Sequence, residues 1–124
     1  MKFKDRRIRA FFYGIAFDDY GNLWGTHIMR DQIFAITPEG DVQIILDDDV
    51  PGPSTILEQA FERDEVTPDL MLACGGTIAK WMASITFGGP DLKTVYIGSL
   101  AGNRIPYFRS PVAGLPMVHW RGRR

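Results

Sequence analysis

The chain has 124 residues, 45% of them hydrophobic and 12% aromatic, with a formal net charge of -1. That is enough apolar material for one packed core, and too little charge imbalance to favour nucleic acid or an anionic membrane surface. A single cysteine, Cys74, excludes an intrachain disulfide and supplies no zinc cluster.

Residues 1–10 form a basic lead carrying Lys2, Lys4, Arg6, Arg7 and Arg9, and Arg121, Arg123 and Arg124 gather at the other end. Both clusters read as solvated segments, with phosphate binding as the alternative. Met1 leads into charge with no apolar stretch behind it, and no run is long enough to span a bilayer, so the expected compartment is the cytoplasm.

Tyr13 to Asp18 predicts a first strand, and Asp18-Asp19-Tyr20-Gly21-Asn22 supplies turn residues that accept positive φ or bond their own backbone. Leu23 to His27 runs back, Gln32 to Thr37 is the third strand, Thr37-Pro38-Glu39-Gly40-Asp41 the next turn, and Val42 to Leu46 the fourth strand. Ile33-Phe34-Ala35-Ile36 is apolar at successive positions, as suits a sheet covered on both faces. From 48 to 77 the period changes. Ile56, Leu57, Ala60 and Phe61 recur at helical spacing behind a Thr55/Glu58 capping box, and a second short helix opens at Thr67-Pro68 and stops at Gly75-Gly76. Met82 to Phe87, Thr94 to Leu100, Arg104 to Phe108 and Met117 to Trp120 predict four further strands, the later ones broken by Pro106, Pro111 and Pro116 and confined to edges.

One pattern occurs twice, as Gly14-Ile15-Ala16-Phe17-Asp18-Asp19-Tyr20-Gly21-Asn22-Leu23-Trp24 and as Ser84-Ile85-Thr86-Phe87-Gly88-Gly89-Pro90-Asp91-Leu92-Lys93-Thr94-Val95-Tyr96. A repeated strand, turn and strand is how successive blades of a β-propeller look in sequence. The expected fold is therefore all-β: a partial β-propeller of about two four-stranded antiparallel blades, 11–47 and 78–120, around a short α-helical insertion at 48–77. A blade takes roughly 40 to 50 residues and closed rings use about four to eight, so two blades do not close a ring.

Few residues offer chemistry. Asp18 and Asp19 form a carboxylate pair in a turn that wants Asp for its backbone. Asp47-Asp48-Asp49 is acidic but lacks the spacing of an EF-hand loop. His27 is the catalytic candidate, a general base if its strand faces the channel, although no carboxylate partner is evident. His119 reads as an edge residue and Cys74 as an inert thiol. Ser84 and Ser99 miss the spacing of a nucleophile elbow. Trp24, Trp81 and Trp120 could stack on a ligand, but blade cores bury such residues routinely.

Tyr13-Gly14-Ile15-Ala16-Phe17-Asp18 with Gly21-Asn22-Leu23-Trp24, then Ile33-Phe34-Ala35-Ile36-Thr37-Pro38-Glu39-Gly40, resembles a blade of the senescence-marker-protein/gluconolactonase/luciferin-regenerating-enzyme family. The second copy, Ser84 to Tyr96, is similar to that family's final inner strand, and Tyr107 to Pro116 to the close of one bacterial branch. The resemblance implies a six-bladed propeller that hydrolyses lactones with one divalent cation, calcium or zinc. It also implies that the cation is held by a Glu and an Asn from earlier blades and by an Asp just before the glycine matching Gly14. Tyr13 holds that last position here, and a phenol is a poor ligand for a hard cation. The other two ligands would lie upstream of Met1. The expectation is the C-terminal blades of such a propeller, with no metal or other cofactor of its own and inactive alone. A small-molecule lactone is the substrate class, and the expected partners are further copies or other blades. The alternative is a non-catalytic assembly or binding module.

Overall fold

The computed structural model describes residues 12–122. The basic lead and the arginines 123 and 124 lie outside the described residues. Seven strands and two short α-helices follow in the order β1 (Phe12–Phe17), β2 (Leu23–His27), β3 (Gln32–Ile36), β4 (Val42–Asp47), α1 (Pro51–Glu62), α2 (Pro68–Leu72), β5 (Met82–Gly88), β6 (Thr94–Ser99) and β7 (Tyr107–Arg109), with a 3-10 turn at Val118–Gly122. The strands form two antiparallel meanders, one ordered β1-β2-β3-β4 and the other β5-β6-β7. No helix among the described residues is long and apolar enough to cross a membrane.

The second sheet has three strands, not the expected four. Met117 to Trp120 enters the 3-10 turn because its chain has already been committed elsewhere. Gly114 bridges to Asp18, and the Leu115 N–H donates to the Phe17 carbonyl at 2.9 Å. Pro116 then has no N–H with which to extend that pairing. The returning segment thus lies on the free edge of β1 in the first sheet.

The helical insertion also differs in its start. α1 begins at Pro51 with Val50 as N-cap and no side-chain cap bond, so Thr55 is an interior residue and the Thr55/Glu58 box does not form. Pro51 and Pro53 preset φ for the first turn, which moves the start forward. Its buried stripe is Ser54, Leu57 and Ala60, whereas Ile56 and Phe61 stand half exposed. The Thr67 hydroxyl does cap α2, accepting from the Leu70 N–H.

Core packing follows from strand alternation. Trp24, Ile33 and Ala35 project from one face of the first sheet onto Ile85, Phe87, Val95 and Ile97 of the second. On its opposite face the first sheet carries Leu23, Phe34, Ile36, Val42 and Ile44. The helices cover one end, where Leu57 and Cys74 pack on Ile28, Met29 and Ala83.

The two hairpins can be superimposed by their hydrogen bonding. The Phe17 carbonyl points away from β2 to accept from Leu115, whereas Lys93 and Ile97 turn toward β7. The bonded pair that closes the first hairpin is therefore Asp18 with Asn22, and that of the second is Gly88 with Thr94. On this register Phe17 corresponds to Phe87, Leu23 to Val95 and Trp24 to Tyr96. The face that the second sheet turns toward the first is thus the counterpart of the face that the first sheet turns away. The two sheets therefore stack head to tail, with equivalent faces pointing the same way.

β1 and β5 meet at their bulges, which fall at Gly14 and Ala83. Gly14 has φ +36°, and a Cβ there would stand 2.5 Å from the Ala83 carbonyl oxygen and 2.7 Å from the Ser84 Cα. Gly40 also has positive φ (+91°) but nothing within 4 Å of a Cβ. Gly14→Ala should therefore cost on the order of 3 kcal/mol, and Gly40→Ala about 1 kcal/mol, in denaturant unfolding. Equal costs would contradict the close approach of the two bulges.

Candidate functional site

The site begins with a short turn. Asp18 closes the β1-β2 hairpin and is almost fully buried. One carboxylate oxygen accepts the Tyr20 and Asn22 backbone N–H groups, and the other accepts the Asn22 amide at 2.8 Å and the Trp24 indole N–H at 2.9 Å. Burial alone would raise its pKa, but these donors together hold it below the ordinary carboxylate value. It is an anion occupied by structure. Asp19 is exposed, and its N–H donates to the Ala113 carbonyl.

Along β1 and β5 runs a groove of about 480 Å³, walled by Ile15 and Phe17 of β1, Phe87 of β5, and Leu115, Met117 and Trp120 of the returning chain. Gly114 lets that chain pass, since a Cβ there would stand 2.2 Å from the Phe87 Cβ. Among the described residues no carboxylate, histidine or cysteine lines the groove. Val118, also in its wall, is 81% exposed. The volume suits a small ligand, but the lining offers apolar contact rather than acid-base chemistry.

Other expected residues lie apart from it. His27 is completely buried at the end of β2, and among the described residues neither ring nitrogen has a hydrogen-bond partner. Burial, and then the Arg30 guanidinium, push its pKa down to about 4 against the opposing pull of Glu58 and Asp49. It is neutral at pH 7 and lies outside the groove lining. Tyr13 is half exposed on β1, and its carbonyl accepts from the Thr26 hydroxyl at 2.8 Å.

The acidic triplet is divided among structural duties. Asp47 accepts the Asp49 N–H, Asp48 accepts the Ile78 N–H and the Thr77 hydroxyl, and Asp49 pairs with Arg30 at 2.8 Å. Arg30 also grips Glu58 of α1, which ties the insertion to the β2-β3 turn. Among the described residues no group of three or more His, Cys, Asp or Glu side chains is placed to hold a metal ion. A divalent cation of the kind implied by the resemblance does not fit Tyr13, a lone phenol on a strand whose neighbouring groove wall is apolar.

The remaining residues are accounted for locally. The Cys74 thiol is buried, donates to the Leu70 carbonyl and has its pKa pushed up chiefly by burial. Ser99 donates to the Lys80 carbonyl and accepts from the Gly102 N–H, whereas Ser84 is exposed opposite Gly98. Trp24 is core, Trp81 donates its indole N–H to the Cys74 carbonyl, and Trp120 stands beside His119, the rings edge to face at 5.8 Å.

Sequence reasoning missed Asp31. It is fully buried with φ 50°, and its carboxylate accepts the Gly76 N–H at 2.6 Å and the Met82 N–H at 2.8 Å. Burial raises its pKa despite these donors, and Asp48 adds repulsion. Its signal was a lone Asp after Arg30 in a tight turn, where αL conformation is tolerated. No protein-family model and no curated protein matches this chain.

The buried histidine gives a signed expectation. In the unfolded chain His27 returns to its ordinary value of 6.5, whereas in the fold it titrates at about 4. Between these values the unfolded state binds more protons, so stability is fully present above pH 6.5 and falls as the pH drops toward 4. The loss should be about 3 kcal/mol at ~1.4 kcal/mol per pH unit. Denaturant unfolding of the wild type and of His27→Leu across pH 4 to 7 reads this contribution; a wild-type slope unchanged in His27→Leu would contradict it.

Proposed function

We propose that this chain is a gluconolactonase-like two-blade unit that acts as an assembly or binding module rather than as a lactone hydrolase. The observation that carries this reading is the groove. It lies along β1 and β5, the strands that the resemblance makes innermost in a propeller, and it is walled by Ile15, Phe17, Phe87, Leu115 and Met117. Such a wall stabilises contact with another apolar surface. Among the described residues it offers no carboxylate or imidazole to activate water for attack on a lactone carbonyl.

The propeller part of the proposal rests on the resemblance in sequence and on the head-to-tail stacking of the sheets, in which β1 and β5 touch at their bulges. That arrangement suits two adjacent blades with their first strands innermost. Hydrolysis, the activity implied by the resemblance, would need a cation that neither Tyr13 nor the groove is equipped to bind.

The test is a lactonase assay on the purified chain with calcium, zinc or manganese, run beside an apolar fluorescent dye. Turnover should not exceed that of buffer, and Tyr13→Asp should not create it. The dye should bind the wild type and lose most of its signal in Met117→Lys, which charges the groove wall. Metal-dependent turnover by the wild type would overturn the module reading.

A further inference from the structure

The outer face of the first sheet, the one turned away from the second, is closed on one side and open on the other. Along β2 and β3, His27 is 0%, Phe34 1% and Ile36 2% exposed, whereas toward β1 Ile15 is 65% and Phe17 50% exposed. Phe34 lies on this face over Gly25, and strand alternation puts His27, two residues along β2, on the same side. The apolar side chains packed on Phe34 and Ile36 are Leu23, Val42 and Ile44, all from the same sheet. The helices pack elsewhere, on Ile28, Met29 and Ala83. A sheet does not bury its own central side chains to this degree; that takes a second layer laid across them. Among the described residues no apolar cluster supplies that layer.

The segment ahead of β1 has the place, the length and the composition to do so. β1 opens at Phe12, which pairs with His27, and the same row continues through Gln32 to Asp47. Residues 1–11 therefore join the sheet at the His27 end of the closed strip. Extended, they reach about 36 Å, whereas crossing the sheet from β1 to β4 takes about 14 Å. They carry Phe3, Ile8 and Phe11 interleaved with Lys2, Lys4, Arg6, Arg7 and Arg9. The far rim of the strip is acidic, with Asp47, Asp48 and Asp49 at the end of β4 and Glu58 on α1, and Arg30 pairs with the last two of these. The cations of residues 1–11 complement that rim. The other end of the chain outside the described residues, Arg123 and Arg124, has no apolar side chain to offer.

We propose that residues 1–11 fold back as a strap over the outer face of the first sheet, laying Phe3, Ile8 and Phe11 on the strip of Phe34 and Ile36 and leaving the cations to water and the Asp47 rim. The strap takes the position that a preceding sheet would occupy in a longer stack. Its charged outer side ends the stack there, as a polar capping repeat does in a repeat protein. The proposal goes beyond the module reading and does not depend on it. It closes one face of the chain from within, and it leaves the groove along β1 and β5, where Ile15 and Phe17 stay exposed, as the surface open to a partner.

Two measurements on the full chain test this. In nuclear magnetic resonance spectra of the wild type, proton-proton cross-peaks should join Phe3, Ile8 or Phe11 to Phe34, Ile36 or Ile44. Trypsin under native conditions reads the same contact, because the strap carries its own cleavage sites and cleavage follows the fraction of time that it is undocked. Cleavage after Arg9 should be about tenfold faster or more in the double variant Phe3→Ser/Ile8→Ser than in the wild type, with circular dichroism showing the sheets intact. Ile8→Leu should keep the wild-type rate. If the double variant loses its sheets, the wild-type cross-peaks decide alone. Equal cleavage rates in the wild type and a folded double variant would overturn the strap, and so would cross-peaks from residues 1–11 to Met117 and Trp120 of the groove, or none to Phe34, Ile36 and Ile44. The module reading fails separately, since metal-dependent lactone hydrolysis would refute it and leave the strap standing.

Discussion

The hydrogen bond from the Trp24 indole to Asp18 is the constraint on which most of this structure depends. The indole lies at the centre of the inter-sheet core, edge to face with Phe87 at 4.9 Å and stacked near Phe108 at 6.5 Å. Its N–H is the one polar atom it brings into that core, and Asp18 accepts it at 2.9 Å. The same carboxylate closes the β1-β2 turn, and the backbone of Asp18 pairs with Gly114 of the returning chain. One buried anion therefore joins a hairpin, the packing of two sheets and the attachment of the C-terminal segment. Leaving the indole N–H buried without its acceptor would cost roughly 1–3 kcal/mol, and loss of the turn bonds would add to it.

A second buried carboxylate plays the matching part at the other end of the sheets. Asp31, in the β2-β3 turn, holds the backbone that leads into β5, and Arg30 beside it holds α1 through Glu58. The acidic and basic side chains that suggest chemistry in a short sequence are thus engaged in joining elements. The groove is left with apolar side chains, and its character follows from this division.

Much of the first sheet was legible because its strands are separated by turns with strong local chemistry, Asp18 to Asn22 and Thr37 to Asp41, and β2 begins and ends where the alternation and the turn place it. The likeness of the two hairpins was legible for the same reason. What local pattern does not encode is where a segment docks. Met117 to Trp120 has the composition of a strand, yet the pairing of Gly114 and Leu115 with β1, far away in sequence, takes the preceding chain out of the second sheet. Thr55 looks like a cap, but prolines four and two positions earlier set the helix start. His27 looks like a base at a strand end, and only burial shows that it is held neutral. Asp31 carried no motif at all, since its role depends on two amides about 45 to 51 residues away.

The central claim is that the two sheets stack head to tail, with the inner face of the second equivalent to the outer face of the first. Proton-proton distance measurements by nuclear magnetic resonance on the purified chain address it most directly. The account predicts cross-peaks from the Trp24 indole to the Phe87 ring and from Gly14 to the Ala83-Ser84 backbone, with none from Trp24 to Tyr96. Cross-peaks from Trp24 to Tyr96 in place of Phe87 would mean that the second sheet presents its other face, and would contradict the account.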